Sequence, residues 1–463
     1  MRSILTIFAA LLSFPDLVYS VELSNGRSIP DRPVLIPAPY GPAVSRPHSP
    51  PRDDDKYCFV PGPCKDGEDS APRILKAFQK CNDGGTVVLD KVYTISSPLN
   101  LTFLKHVDVV ITGEVHMDDS DVYYWADNSF KFPFQNTSAI WMIGGEDVNI
   151  YGDLTNDQSL IHGHGQAFWE ENQTNKTVGF ILKLRRPLLV AIEGLHGGSM
   201  SNLRMKNPAF WFNIIANSSD VIISDMHLEA KSENDVKIAN SDGWDTYRSE
   251  RIVIQDSIID NTDDCVSFKP NSTDIVVQNL ICDGSHGISI GSLGQYRNIT
   301  DIVEDLHIFN ISMSNASDGA RIKVWPGIET DFQSDLNGGG GLGRVKNVTY
   351  DTFYHYNNDR AITITQCYGQ SNQTLCNEFP ANLTIDDITM KNFWGVTSSK
   401  YDPEAGTLVC SAADRCSNIN LHNITVTVPS GEPPVYECSN VDESLLENIT
   451  CVHADDDRDT GQG

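Results

Sequence analysis

Apolar positions along this chain come in short alternating bursts rather than at helical spacing. VIIS (Val221–Ser224), RIVIQ (Arg251–Gln255), DIVVQ (Asp274–Gln278) and DIVE (Asp301–Glu304) read as strands. Each precedes a polar, turn-forming run: NSDGWD (Asn240–Asp245), NTDDCVSF (Asn261–Phe268), GSHGISIG (Gly284–Gly291) and GARIKVW (Gly319–Trp325). Asp242, Asp264 and His286 are spaced 22 residues apart, and Asp318 follows 32 further on, the same spacing plus a ten-residue loop. A repeat of this length built from short strands predicts a solenoid. TVVLDKVYTI and LKHVDVVITGEV supply the first coils, and NLTIDDITMKNFWGV and NINLHNITVTVP later ones. SAPRILKAFQKC is the one good helical pattern, with Ser70 as its cap and Pro72 in its first turn. A short helix there would cover the open end of the solenoid. The predicted fold is all-β: a single-domain, right-handed parallel β-helix of roughly ten coils, residues 57–452, with a short N-terminal capping helix.

Equivalent positions of a parallel β-helix stack about 4.8 Å apart. Asp242, Asp264 and His286 would then form a column on one face, with Asp263 beside it at a bend. Arg321 and Lys323, two apart in a strand, point the same way. Stacked carboxylates repel and raise one another's pKa, so a structural role gives little reason for the set, although any single Asp could serve only as a turn residue. Hydrolysis of a glycosidic bond does give a reason. One carboxylic acid protonates the leaving oxygen and a carboxylate across the bond activates water, with roughly 6.5–9.5 Å between the two in an inverting enzyme.

The motifs NSDG, TDD, SHG and RIK, in this order, resemble those of glycoside hydrolase family 28, the polygalacturonases. The longer strings NSDGWDTYRS, DDCVSFKPNS, GSHGISIGSLGQY and NASDGARIKVWPG look like its exo-acting fungal members. Ser241 and Ser285 depart from the family's Thr and Gly, and both are small. The resemblance implies secreted exo-hydrolysis of α-1,4-linked galacturonate from the non-reducing end of pectic polygalacturonate, with inversion. Asp263 would be the general acid and Asp242 and Asp264 the bases. His286 would set the ionisation of the acid. Arg321 and Lys323 would hold the galacturonate carboxylate, with Asn240 and Tyr368 as further contacts. No metal or organic cofactor is required. Endo action, or a rhamnogalacturonan or xylogalacturonan backbone, remain alternatives within the family. Outside it stand a calcium-dependent pectate lyase and a non-catalytic sugar-binding β-helix, and a binder has no need of adjacent Asp263 and Asp264.

Composition narrows the setting. Residues 1–20 read as a secretory leader: Arg2, the apolar ILTIFAALLSF, then Val18-Tyr19-Ser20. The apolar run is too short to span a bilayer, so no membrane partner is expected. Residues 21–56, rich in Pro, Arg and Asp, read as a poorly ordered arm, and residues 453–463 as a polar tail. Fourteen Asn-X-Ser/Thr sequons suit a secreted chain: Asn100, Asn136, Asn172, Asn175, Asn217, Asn271, Asn298, Asn310, Asn315, Asn347, Asn372, Asn382, Asn423 and Asn448. Eleven cysteines point to disulfides, with the close spacings Cys265–Cys282, Cys367–Cys376 and Cys410–Cys416 as candidate pairs. The first is similar to a bridge typical of the family. A net charge of −28 excludes nucleic acid as a partner. It also repels a polyanionic sugar at long range, which local Arg321 and Lys323 would offset. A monomer is expected.

Three further segments stand out. The aromatic, acidic stretch 117–141 could wall a substrate groove or pack on the coils. His162 and His164 in IHGHGQAFWE suggest a metal, but family 28 has a similar Gly-X-Gly run followed by Trp, used structurally. GGGGLG (Gly338–Gly343) lacks the context of a phosphate loop and reads as a flexible surface loop.

Overall fold

The computed structural model describes residues 20–22, 26–37, 49–63, 65, 67–132, 134–178, 184–327, 338–370 and 373–453. The leader apart from Ser20, the tail after His453, Cys64 and Asn372 lie outside the described residues.

Strands of successive coils pair in parallel and in register. On one face Trp244, Val266, Ile288, Ala320 and Ile362 stand one above another. On a second face Ile252, Ile275, Leu306, Val348, Ile388 and Ile419 form a like stack. All of these side chains are buried. Each coil thus lays its inward aliphatic residues on those of the next, and the core is a column of stacked Ile, Leu and Val running the length of the molecule. The register sets the site: two residues before Trp244, Val266, Ile288 and Ala320 come Asp242, Asp264, His286 and Asp318.

The corners of the coils are turned by Asn and Asp in the left-handed region, where their short polar side chains tolerate positive φ. Nine of the sequon asparagines are among them: Asn136, Asn217, Asn271, Asn298, Asn310, Asn315, Asn347, Asn423 and Asn448, with φ from 49° to 64°.

Helix α1 (Ala71–Cys81) buries Ala71, Ile74, Phe78 and Cys81, and Cys81 is bonded to Cys58. Ser70 does not cap it. Its φ and ψ (−85°, −13°) are already helical, and Asp69 accepts the N–H of Ala71 at 3.0 Å instead.

Two other expectations are corrected. The described part of the N-terminal arm packs on the coils. Arg52 lies 2.9 Å from both Asp108 and Asp147, and Ile29 is buried against Val88, Val110 and Tyr151. Arg32 also reaches Asp108, at 3.3 Å, and Leu35 packs against Ile222, Val253 and Val276, so scattered single contacts rather than an amphipathic element anchor the arm. Gly338–Gly341 are buried, not a surface loop. A Cβ on Gly341 would fall 2.6 Å from Cα of Gly294, so glycine here permits two backbones to touch.

The aromatic stretch contains helix α2 (Val122–Asn128), capped by Asp121. Trp125, Phe132 and Phe134 are buried, and Phe134 stacks on Tyr247 at 4.6 Å, whereas Tyr123 and Tyr124 remain exposed. The packing alternative accounts for the first three rings.

Five disulfides form among the described residues. Cys265–Cys282, Cys367–Cys376 and Cys410–Cys416 are the expected pairs, joined by Cys58–Cys81 and Cys438–Cys451. No helix among the described residues is long and apolar enough to cross a membrane.

Candidate active site

The polar turns entering the face of Trp244, Val266, Ile288 and Ala320 bring the acidic residues together. Asp263 is half-buried, and its Oδ1 accepts the N–H of Asp264 at 2.8 Å and lies 3.2 Å from Nδ1 of His286. Asn240 Nδ2 approaches Asp263 Oδ2 at 3.5 Å. Asp264 is buried. Its Oδ2 accepts from Lys323 Nζ at 2.6 Å and its Oδ1 from Ser289 at 2.7 Å. Asp242 is buried too, 3.3 Å from Lys269 Nζ. Arg321 NH1 lies 3.5 Å from Asp318, and the Tyr368 ring sits 6.0 Å from the Arg321 guanidinium and 5.8 Å from the Lys323 ammonium. The eight residues singled out in the sequence therefore gather at one place.

The three carboxyls are electrostatically distinct. Burial pushes Asp242 well above the usual carboxylate range, and the neighbouring Asp263 and Asp245 add to the rise. Burial also acts on Asp264, but Lys323, Lys269 and Arg321 overcome it and hold Asp264 far below its ordinary value. Burial acts most strongly on Asp263 and would raise it, but the hydrogen bond and charge of His286, together with Lys323, leave it lowered. His286 is raised in turn: burial opposes its charge, but the hydrogen bond to Asp263 and the charges of Asp263 and Asp264 together prevail. Asp264 is thus the permanently charged carboxylate, and Asp263 and His286 share a proton as a pair.

Sequence reasoning missed three residues. Lys269 is buried between Asp242, Asp245 (3.4 Å) and Asp264 (4.0 Å), with its Nζ 5.0 Å from the Trp211 ring. Asp245 is fully buried and pushed up to about 7, mainly by desolvation. Arg186 donates to the carbonyls of Ala209 (3.0 Å) and Ala239 (2.7 Å) and to Asn240 Oδ1 (2.8 Å), which fixes the Asn240 amide beside Asp263. Lys269 and Asp245 sit within quoted motifs, where the alternation of the strand was the available signal. Arg186 belongs to no repeat.

Asp263, Asp264 and His286 place their ligand atoms within 4.8 Å of one another, as do His116, His162 and His164. In the first set the Lys323 ammonium already occupies Asp264, which opposes a bound cation.

The sequence matches Glycosyl hydrolases family 28 over residues 99–451. The chain belongs to glycoside hydrolase family 28. Within the family it is 50% identical over 409 residues to "Probable exopolygalacturonase X" of Aspergillus fumigatus, covering 88% of this chain and 91% of that one. It is 45% identical to "Exopolygalacturonase X-2" of Emericella nidulans over 458 residues, 98% of this chain and 99% of the other. Among solved structures, endo-xylogalacturonan hydrolase from Aspergillus tubingensis superposes with a TM-score of 0.75 at 30% identity, covering 86% of this chain and 99% of that one. This family 28 chain is a glycoside hydrolase with the right-handed β-helix expected from its sequence.

Proposed function

We propose that this enzyme is a secreted exo-polygalacturonase, releasing galacturonate from the non-reducing end of polygalacturonate with inversion. The supporting observation is the grouping of Asp242, Asp263 and Asp264 with one imidazole and two cations. Arg321 and Lys323 suit a sugar carboxylate beside the scissile bond, Arg321 by a two-pronged contact and Lys323 as a point charge. Asp264, held ionised, draws the proton from the attacking water, with Asp242 assisting once Lys269 stabilises its charged form. Asp263 delivers a proton to the leaving oxygen. In the free enzyme that proton resides on the Asp263–His286 pair and passes to Asp263 when the bond breaks. Asn240 steadies Asp263, and Tyr368 flanks the carboxylate subsite.

The enzyme acts as a monomeric catalytic unit over residues 57–452. The leader-like residues 1–20 and the five disulfides support an extracellular setting. The names of the relatives near 50% identity favour exo action, and the xylogalacturonan neighbour at 30% supplies the second reading. Product analysis on de-esterified polygalacturonate with chelator present decides between them. Galacturonate alone from the first minutes, with slow loss of viscosity, is expected. Mixed oligomers with rapid thinning would refute exo action, and release only from xylose-substituted pectin would favour the second reading.

A further inference from the structure

The most concentrated chemistry outside the catalytic turns is a group of three histidines. His116 is the last but one residue of the strand Glu114–Met117, and His162 ends the strand Leu160–His162, the two paired in parallel register. Their rings stack at 5.7 Å between centroids. His164 has φ of 47°, and this left-handed corner turns its ring back to 4.0 Å from His162 and 5.2 Å from His116. Gly165 locks the corner, since a Cβ there would meet the carbonyl oxygen of Pro208 at 2.3 Å.

We propose that His116, His162 and His164 form a binding site for a zinc-class divalent transition metal, with a fourth position open to water. His116 Nε2 lies 2.8 Å from Glu114 Oε2, which leaves Nδ1 to face inward, and a carboxylate behind a ligating imidazole is the usual support of such a ligand. That Nδ1 is 2.9 Å from His164 Nε2, a little under the roughly 3.3 Å that separates two nitrogens bound to tetrahedral zinc at about 2.0 Å. His162 Nδ1 accepts the N–H of His164 at 3.0 Å. With that nitrogen an acceptor, the neutral ring carries its proton on Nε2, so His162 joins the metal only once this hydrogen bond opens, and the His116–His164 pair is the primary half of the site. All three side chains are partly buried. Nitrogen donors without a carboxylate in the cluster favour zinc, copper or nickel over calcium or magnesium.

The site is separate from catalysis. His162 pairs with Lys206, Lys206 with Glu229, and Glu229 with Asp260, the last strand residue before the catalytic turn. Three rungs correspond to roughly 14 Å along the axis.

The test is calorimetric titration of zinc chloride into the chelator-treated, dialysed full-length enzyme at pH 7. One ion per chain at micromolar or tighter affinity is expected, with a rise in Tm. The double variant His116→Ala/His164→Ala should lose both effects while still hydrolysing polygalacturonate. Absence of saturable uptake below millimolar zinc, or full uptake by the variant, overturns the proposal. Should the variant not fold, cobalt(II) replaces zinc in the wild-type enzyme. An intense tetrahedral visible band upholds the site, and the weak spectrum of the aquo ion overturns it.

Discussion

Replacing Asp245 with Asn tests the electrostatics of the site most directly. Asp245 is fully buried, and desolvation, opposed by Lys269 and reinforced by Asp264 and Asp263, raises its pKa to about 7 from an ordinary 3.8. The native state therefore holds this proton more tightly than the unfolded chain. Between about pH 4 and 7 the folded form binds more protons, so stability falls as pH rises. A gap of about three units corresponds to about 4 kcal/mol lost by pH 7. Asparagine carries no such charge and keeps the shape. Relative to wild type, Asp245→Asn should be nearly neutral at pH 4 and progressively stabilised toward pH 7. With an unfolding entropy of about 2.1 cal/mol/K per residue, 463 residues convert this to a relative gain in Tm of about 4 °C, read by scanning calorimetry. The pH–activity profile is the second readout. Asp245 is among the charges that raise Asp242, so its loss should move the acid limb of kcat/KM to lower pH. Melting curves of variant and wild type that run parallel across this range would refute a buried, proton-storing Asp245.

Asp263→Asn should lower kcat by two to four orders of magnitude, as for loss of a general acid, with the circular-dichroism spectrum unchanged; near-normal turnover would refute the acid assignment. His286→Gln should shift the alkaline limb of kcat/KM to lower pH, because His286 is raised above its ordinary 6.5 and holds the shared proton until the pH passes that point. An unmoved alkaline limb would mean that the pair does not store the proton.

Much of this was legible because a solenoid writes its geometry into spacing. Asp242, Asp264, His286 and Asp318 could be stacked on paper, since each coil adds the same length of chain and only one carries an extra loop. The close cysteine pairs were visible from their short spacing alone. What stayed hidden depends on register between unlike segments. Arg186 reaches Asn240 across 54 residues of sequence, and His116 meets His164 across 48. Cys58 and Cys81, 23 apart, are joined because α1 folds back over the first coil. Lys269 was overlooked for another reason. A lysine following an apolar strand reads as a surface residue, and only the three carboxylates around it reconcile its charge with burial.

The left-handed asparagines carry a consequence for how such chains meet the glycosylation machinery. A corner that favours Asn at positive φ and a following strand that favours Ser or Thr together spell a sequon, whether or not a sugar is ever attached. Nine of the fourteen acceptors here sit at such corners. Their abundance is therefore first a record of how the chain turns. Passage through an oxidising, glycosylating compartment would meet ready-made attachment points at the rim of coil after coil, and replacing a corner asparagine with glycine would erase the acceptor while preserving the bend.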